Sequence, residues 1–211
     1  EPVALDCELN RVIPVIRGLS GRVRCAISVD TTKAEVARQA LAAGAEIIND
    51  ISAMTADPAM TAVAAESGAA VVLMHMRGTP RTMQSELLPY RHLPGDVIDH
   101  LRERVAAATS AGIASDRIIV DPGFGFGKSV ADNLRLLARL SDFRVLGRPL
   151  LVGISRKSFI RHISGDAVDK TGEGTTAAIA AAAMNGAAIV RVHDVRAALK
   201  TTAVIDALKE S

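Results

Sequence analysis

Aromatic residues are scarce in this 211-residue chain, which has four Phe, one Tyr and no Trp. That scarcity argues against a base-stacking surface for nucleic acid, and it leaves the core to aliphatic packing by Ala, Val, Ile and Leu. An excess of one charge is lacking too. The 25 Lys and Arg are interleaved with 23 Asp and Glu, for a formal charge of +2, so no basic patch for nucleic acid stands out. Cysteine is limited to Cys7 and Cys25, too few and too far apart for a zinc motif or a disulfide framework. They read as ordinary thiols in a reducing compartment. No apolar run is long enough to span a bilayer, and the acidic opening, Glu1 to Asp6, is unlike a signal peptide. A cytoplasmic protein with neither membrane nor nucleic acid as partner is expected. The length suits one domain over residues 1–211.

What the chain does have is a repeat. Six short apolar runs end on polar residues and hand over to helix-like segments, finishing at Asp30, Asn49-Asp50, His75, Asp121, Ser155-Arg156-Lys157 and Arg191-His193. The predicted strands are 25–29, 46–51, 70–75, 118–121, 150–155 and 189–193. A helix is predicted from Leu5 to Leu19, with Leu9, Val12, Ile13 and Ile16 on one face. Thr32 to Glu35 has capping-box spacing for the next helix, and Asp57-Pro58 reads as the start of another. Further helices are expected over 96–111, 134–140 and 175–185 and along the C-terminal segment that carries Val195, Leu199, Val204 and Leu208. Strands alternating with helices imply a parallel sheet. A (β/α)8-type TIM barrel, partial because only six units are visible, is the expected α/β fold, with an open doubly wound sheet as the alternative. In such a barrel the C-terminal strand ends share one face.

The most distinctive string is Asp121-Pro-Gly-Phe-Gly-Phe-Gly-Lys-Ser129. It lacks the first Gly of a phosphate-binding P-loop, where Pro122 stands, and its G-x-G-x-G spacing is not the dinucleotide fingerprint. What remains is a strand-end carboxylate before a glycine-rich loop, with Phe124 or Phe126 available to pack on a flat ring. Either Phe also serves as a core plug. In Gly153-Ile-Ser-Arg-Lys-Ser158, Arg156 and Lys157 point apart, and Lys157 is favoured as the central cation. Arg191 and His193 are a period-two pair suited to a phosphate or diphosphate. Of Asn49 and Asp50 only one should face inward, Asp30 is placed as a carboxylate partner or metal neighbour, and His75 reads equally well as structural.

Together these strings resemble the dihydropteroate synthase family of pterin-binding barrels. The resemblance runs through Ser28-Val-Asp-Thr31, Ile48-Asn-Asp-Ile51, Leu73-Met-His-Met76 with Gly78-Thr-Pro-Arg81, the Asp121–Lys128 string, Val152 to Ser158, and Arg191 to Val195. It implies condensation of 6-hydroxymethyl-7,8-dihydropterin diphosphate with p-aminobenzoate, Mg²⁺ accompanying the diphosphate, a homodimer and sulfonamide sensitivity of the family. By motif it assigns Asp30, Asn49, Ile51, Met74, Asp121, Gly153 and Lys157 to the pterin, with Asp30 and Lys157 as catalytic groups. Arg191 and His193 are assigned to the diphosphate, and Phe126, Lys157 and Ser158 to the aminobenzoate. A methyltetrahydrofolate-binding methyltransferase and a noncatalytic pterin-binding protein are the competing readings.

The family's first two strand–helix units have no counterpart here, about 50 to 60 residues by the usual size of the fold. The first of them carries the Asn that accompanies Mg²⁺, so no metal ligand is expected in this chain. The sequence-based expectation is therefore a truncated synthase that recognises the pterin but turns over poorly.

Overall fold

The computed structural model describes residues 3–78, 90–165 and 172–211. Thr79, Pro80 and Arg81 of the motif beginning at Gly78, and most of the polar loop around them, lie outside these. The chain divides into two compact units, Glu1–Met74 with Arg102–Ile119, and His75–Leu101 with Val120–Ser211.

In the first unit, α1 (Leu5–Leu19) precedes β1 (Ser28–Asp30), α2 (Ala34–Ala42), β2 (Ile47–Asp50), α3 (Met60–Ser67) and β3 (Ala70–Met74). The strands are parallel, with Val29 opposite Ile48 and Ile48 opposite Val71. Ile48, Met60, Val63, Val71, Leu73, Ile113 and Ile118 are buried in one apolar cluster, and each such side chain contributes about 1.5–3 kcal/mol by leaving water. A second cluster joins Ile13 and Ile16 of α1 to Val29, Ala40 and Ala45, as the spacing in the first helix predicts. Helix α4 (Gly95–Ser110) leads to β4 (Ile118–Asp121), placed next to β3 in the sheet order β1-β2-β3-β4.

The second unit continues with α5 (Val130–Ala138), β5 (Leu151–Val152), α6 (Ser158–Ser164), α7 (Gly172–Met184), β6 (Ile189–Val190) and α8 (Val195–Glu210). Val120 bridges in parallel to Leu150, and β5 pairs in parallel with β6. Each strand thus neighbours the next in sequence. That unbroken succession is the order of a (β/α)8-type barrel, of which the described residues include six strand–helix repeats. It excludes the doubly wound alternative, whose order reverses at a switch point.

Several boundaries differ from the sequence reading for local reasons. Helix α2 starts without the Thr32–Glu35 capping box: its N-cap is Lys33, and Asp57 Oδ2 accepts the Ala34 N–H at 2.8 Å. A capping box occurs instead at Ser129 and Asp132, which start α5 at Val130. Strands β5 and β6 stop earlier than predicted. Arg191 N–H still bonds Val152 C=O at 2.9 Å, but the His193 N–H turns to the Ser155 hydroxyl at 3.3 Å. Arg191 and His193 therefore follow the last strand rather than lie in it. On α8, Val195, Leu199, Val204 and Leu208 are exposed while Ala198 and Ile205 are buried.

Candidate active site

The first unit presents two carboxylates at adjacent positions of its strand ends. Asp30 lies opposite Asn49 in the β1–β2 register, and the buried Asn49 amide donates to Asp30 Oδ1 at 2.7 Å. Asp50 is fully buried and consumed by the turn after β2. Its Oδ1 accepts from the Ser52 N–H at 2.7 Å and the Ser52 hydroxyl at 2.6 Å, and its Oδ2 from the Met54 N–H at 3.1 Å. Burial raises its pKa, opposed by those hydrogen bonds and by Arg104. The turn needs that support because Ala53 and Met54 adopt φ of 52° and 63°, a region costly for residues with a Cβ. The choice between Asn49 and Asp50 is resolved by this turn. Asn49 remains with Asp30, while Ile51 is half-buried just beyond and Met74 is buried at the end of β3.

A contact absent from the sequence reading fixes the segment after Asp30. Glu8 of α1 accepts from the Thr31 hydroxyl at 2.6 Å and forms an ion pair with Lys33.

In the second unit a buried carboxylate stands among cations. Asp121 is buried at the end of β4, and among the described residues its hydrogen bond comes from the Gly123 N–H, 2.7 Å from Oδ1. Burial pushes its pKa up to about 6, against the Gly123 bond and the charges of Lys128, Lys157 and Arg191. Lys157 is half-buried, its pKa lowered by burial and by Arg191 though raised by Asp121. Its ammonium stands 4.3 Å from the centroid of the Phe126 ring, a cation–π distance. Arg156 is exposed and takes φ of 57°, with its N–H on the Thr175 hydroxyl at 3.3 Å. Lys157, not Arg156, is thus the inward cation. Phe126 is half-buried beneath it, whereas Phe124 is 1% exposed and stacks on Phe159 as a core plug.

His193 lies beside Ser155, Nδ1 to Oγ 3.0 Å, and both His193 and Arg191 are exposed. Ser158 is exposed as the first residue of α6. A Cβ built on Gly153 would meet no atom within 4 Å, so the backbone there borders open space.

Two buried groups of this unit escaped the sequence reading. Lys128 sits in the quoted glycine string without a role there, and Asn133 follows the Ser129–Asp132 capping box whose spacing places it in the first turn of α5. Lys128 Nζ lies 3.1 Å from His75 Nδ1 and donates to the Gly123 carbonyl at 2.8 Å. Burial brings its pKa down to about 7, and burial with the Lys128 charge pushes His75 down to about 2. His75 is therefore a neutral acceptor for Lys128, the structural option.

A family of pterin binding enzymes matches residues 1–193. The chain belongs to the pterin-binding enzyme family. Its relatives include the dihydropteroate synthase of Synechocystis, 47% identical over 209 residues, which cover 99% of this chain and 72% of that protein. The Escherichia coli dihydropteroate synthase is 43% identical over 205 residues, covering 97% and 72%. Among solved structures, Xanthomonas albilineans dihydropteroate synthase in complex with 7,8-dihydropteroate superposes with a TM-score of 0.92 at 41% identity, over 99% of this chain and 76% of that one. The Yersinia pestis dihydropteroate synthase with a sulfonamide drug complex gives 0.95 at 39% identity, over 99% and 75%.

Proposed function

We propose that this family member is a dihydropteroate synthase, joining 6-hydroxymethyl-7,8-dihydropterin diphosphate to p-aminobenzoate and releasing diphosphate. Asp121 carries the reading. It is a buried strand-end carboxylate with one oxygen bonded to the Gly123 N–H, and three cations act on it. The guanidine-like edge of a pterin offers paired N–H donors, which a carboxylate accepts strongly in a water-poor site. Above about pH 6 Asp121 is ionised and ready to accept them.

The other roles follow the chemistry of each group. Arg191 and His193 receive the diphosphate, and Gly153, Ile51 and Met74 shape the slot for the flat ring. Asn49 takes a hydrogen bond with the pterin. The C–O bond to diphosphate breaks, leaving positive charge on the pterin methylene, and Asp30 stabilises that charge electrostatically. The aminobenzoate nitrogen then forms the C–N bond to the methylene and loses a proton to water. Phe126, Lys157 and Ser158 border that second substrate, and Lys157 also donates to the pterin. Orientation and charge stabilisation suffice, without a covalent enzyme intermediate.

Magnesium enters this proposal as the companion of the diphosphate. Among the described residues no three His, Cys, Asp or Glu side chains converge as a metal site. We also read the protein as a cytoplasmic homodimer. An apolar groove of about 290 Å³ that includes the exposed Leu134 and Ile163 supports the dimer. Among the described residues no helix is long and apolar enough to cross a membrane.

The test is diphosphate release by the purified protein with each substrate alone and with both. Release that requires the pterin diphosphate and p-aminobenzoate together is expected. Tight pterin binding without aminobenzoate-dependent release overturns the reading.

A further inference from the structure

The loop from Gly123 to Lys128 combines two properties that oppose each other. Gly123, Gly125 and Gly127 all have positive φ, at 71°, 82° and 67°, and such a glycine-rich segment is costly to hold in one conformation. Yet it carries Phe126, whose ring lies under the Lys157 ammonium. Something must fix the loop from beneath.

Two buried side chains do so from opposite directions. Lys128 is 4% exposed, and its Nζ donates to the carbonyls of Gly123 at 2.8 Å and Phe126 at 3.2 Å, pinning both ends of the loop. It is held in turn by the His75 ring and carbonyl. Asn133 is 2% exposed. Its Oδ1 accepts the Gly125 N–H at 2.8 Å, in the middle of the loop, while its Nδ2 donates to the carbonyls of Lys128 at 3.2 Å and Ser129 at 2.8 Å. Tolerances around the loop are narrow. A Cβ at Gly125 would sit 3.1 Å from Lys157 Cδ, and one at Gly127 would strike the Arg77 carbonyl.

We propose that Asn133, with Lys128, is a positioning residue for the second substrate, holding Phe126 against Lys157. This rests on the assignment of Phe126 and Lys157 to the aminobenzoate. Asn133 bonds the middle of the loop and leaves the Gly123 N–H on Asp121, so its loss acts on one substrate more than the other. Lys128 also acts on Asp121 through its charge, so Asn133 is the discriminating position.

The experiment is Asn133→Ala, alone and combined with Phe126→Ala. Loss of a buried hydrogen bond is felt at about tenfold, so KM for p-aminobenzoate rises about tenfold while Kd for the pterin diphosphate stays within about twofold. In the Phe126→Ala background the Asn133 effect disappears, because both act through one ring. Equal weakening of both substrates, or full additivity with Phe126→Ala, overturns the proposal. Should Asn133→Ala fail to fold, Asn133→Ser, whose hydroxyl is too short to reach the Gly125 N–H, is expected to produce the same selective rise in KM; its absence counts equally against the proposal. A second readout does not depend on turnover. Acylation of Lys157, followed peptide by peptide in mass spectrometry, rises several-fold in Asn133→Ala when the Phe126 ring moves off the lysine. Unchanged Lys157 labelling overturns the positioning role even if the wild-type protein shows no synthase activity, which itself would overturn only the functional reading.

Discussion

Asp50 and Asp121 are both buried carboxylates at strand ends, one in each unit, and they are treated oppositely by their surroundings. The Asp50 oxygens are bonded by Ser52 and Met54. Asp121 receives the Gly123 N–H on one oxygen and relies on the charges of Lys128, Lys157 and Arg191 for the rest. The first is a fastener for a strained turn. The second is an acceptor with capacity left over, which the proposed function gives to the pterin. Burial and pKa direction alone do not separate the two, since both are raised; the hydrogen-bond partners do.

The sharpest break in that comparison comes from removing each charge. Asp121→Asn is expected to weaken pterin binding about a hundredfold, the scale of a lost charge-assisted bidentate contact, in an isothermal titration. The same variant should melt higher than wild type at neutral pH. The folded pKa of Asp121, about 6, lies above its ordinary 3.8, so the ionised group opposes folding fully above about pH 6, and the opposition fades as the pH falls to 3.8. The variant's advantage is on the order of 2–3 kcal/mol above pH 6 and vanishes near pH 4.

Asp50→Asn is expected to do the reverse, costing about 1–3 kcal/mol of stability because an amide NH₂ would meet the Met54 or Ser52 donors. Denaturant unfolding checks this, and pterin affinity of the folded fraction should be unchanged. Arg191→Ala should weaken the pterin diphosphate about tenfold more than the pterin lacking diphosphate, the scale of one charge-assisted contact. Equal losses would remove Arg191 from the diphosphate. The smallest effect is expected from Glu8→Ala, which releases Thr31 and Lys33 at a cost of about 1 kcal/mol.

How far the sequence could be read follows the range of each interaction. Strand β4 and helix α1 have the predicted bounds because their apolar spacing is local. Asp30, Asp50 and Asp121 were also legible as strand ends, because a polar group closing an apolar run is a one-dimensional signal. Misread features depended on partners distant in sequence. Asp57 takes the Ala34 N–H at the start of α2 from 23 residues away, and the Ser155 hydroxyl takes the His193 N–H, beyond the end of β6, across 38 residues. Asn133 and Lys128 went unassigned for a different reason: their bonds run to nearby backbone groups of a loop whose shape no pattern of residue types encodes. The fork between Asn49 and Asp50 was visible as a choice, but its resolution needed the positive φ values of Ala53 and Met54.

The central claim is that ionised Asp121 receives the pterin. Its most direct test is the affinity of wild type and Asp121→Asn for 6-hydroxymethyl-7,8-dihydropterin, without diphosphate, measured by titration between about pH 5 and pH 8. Wild-type affinity should hold above about pH 6 and fall toward tenfold per unit below it, as the carboxylate takes up its proton. The variant should bind weakly at every pH. Wild-type binding indifferent to pH across this range, or an Asn variant as tight as wild type, would contradict the claim.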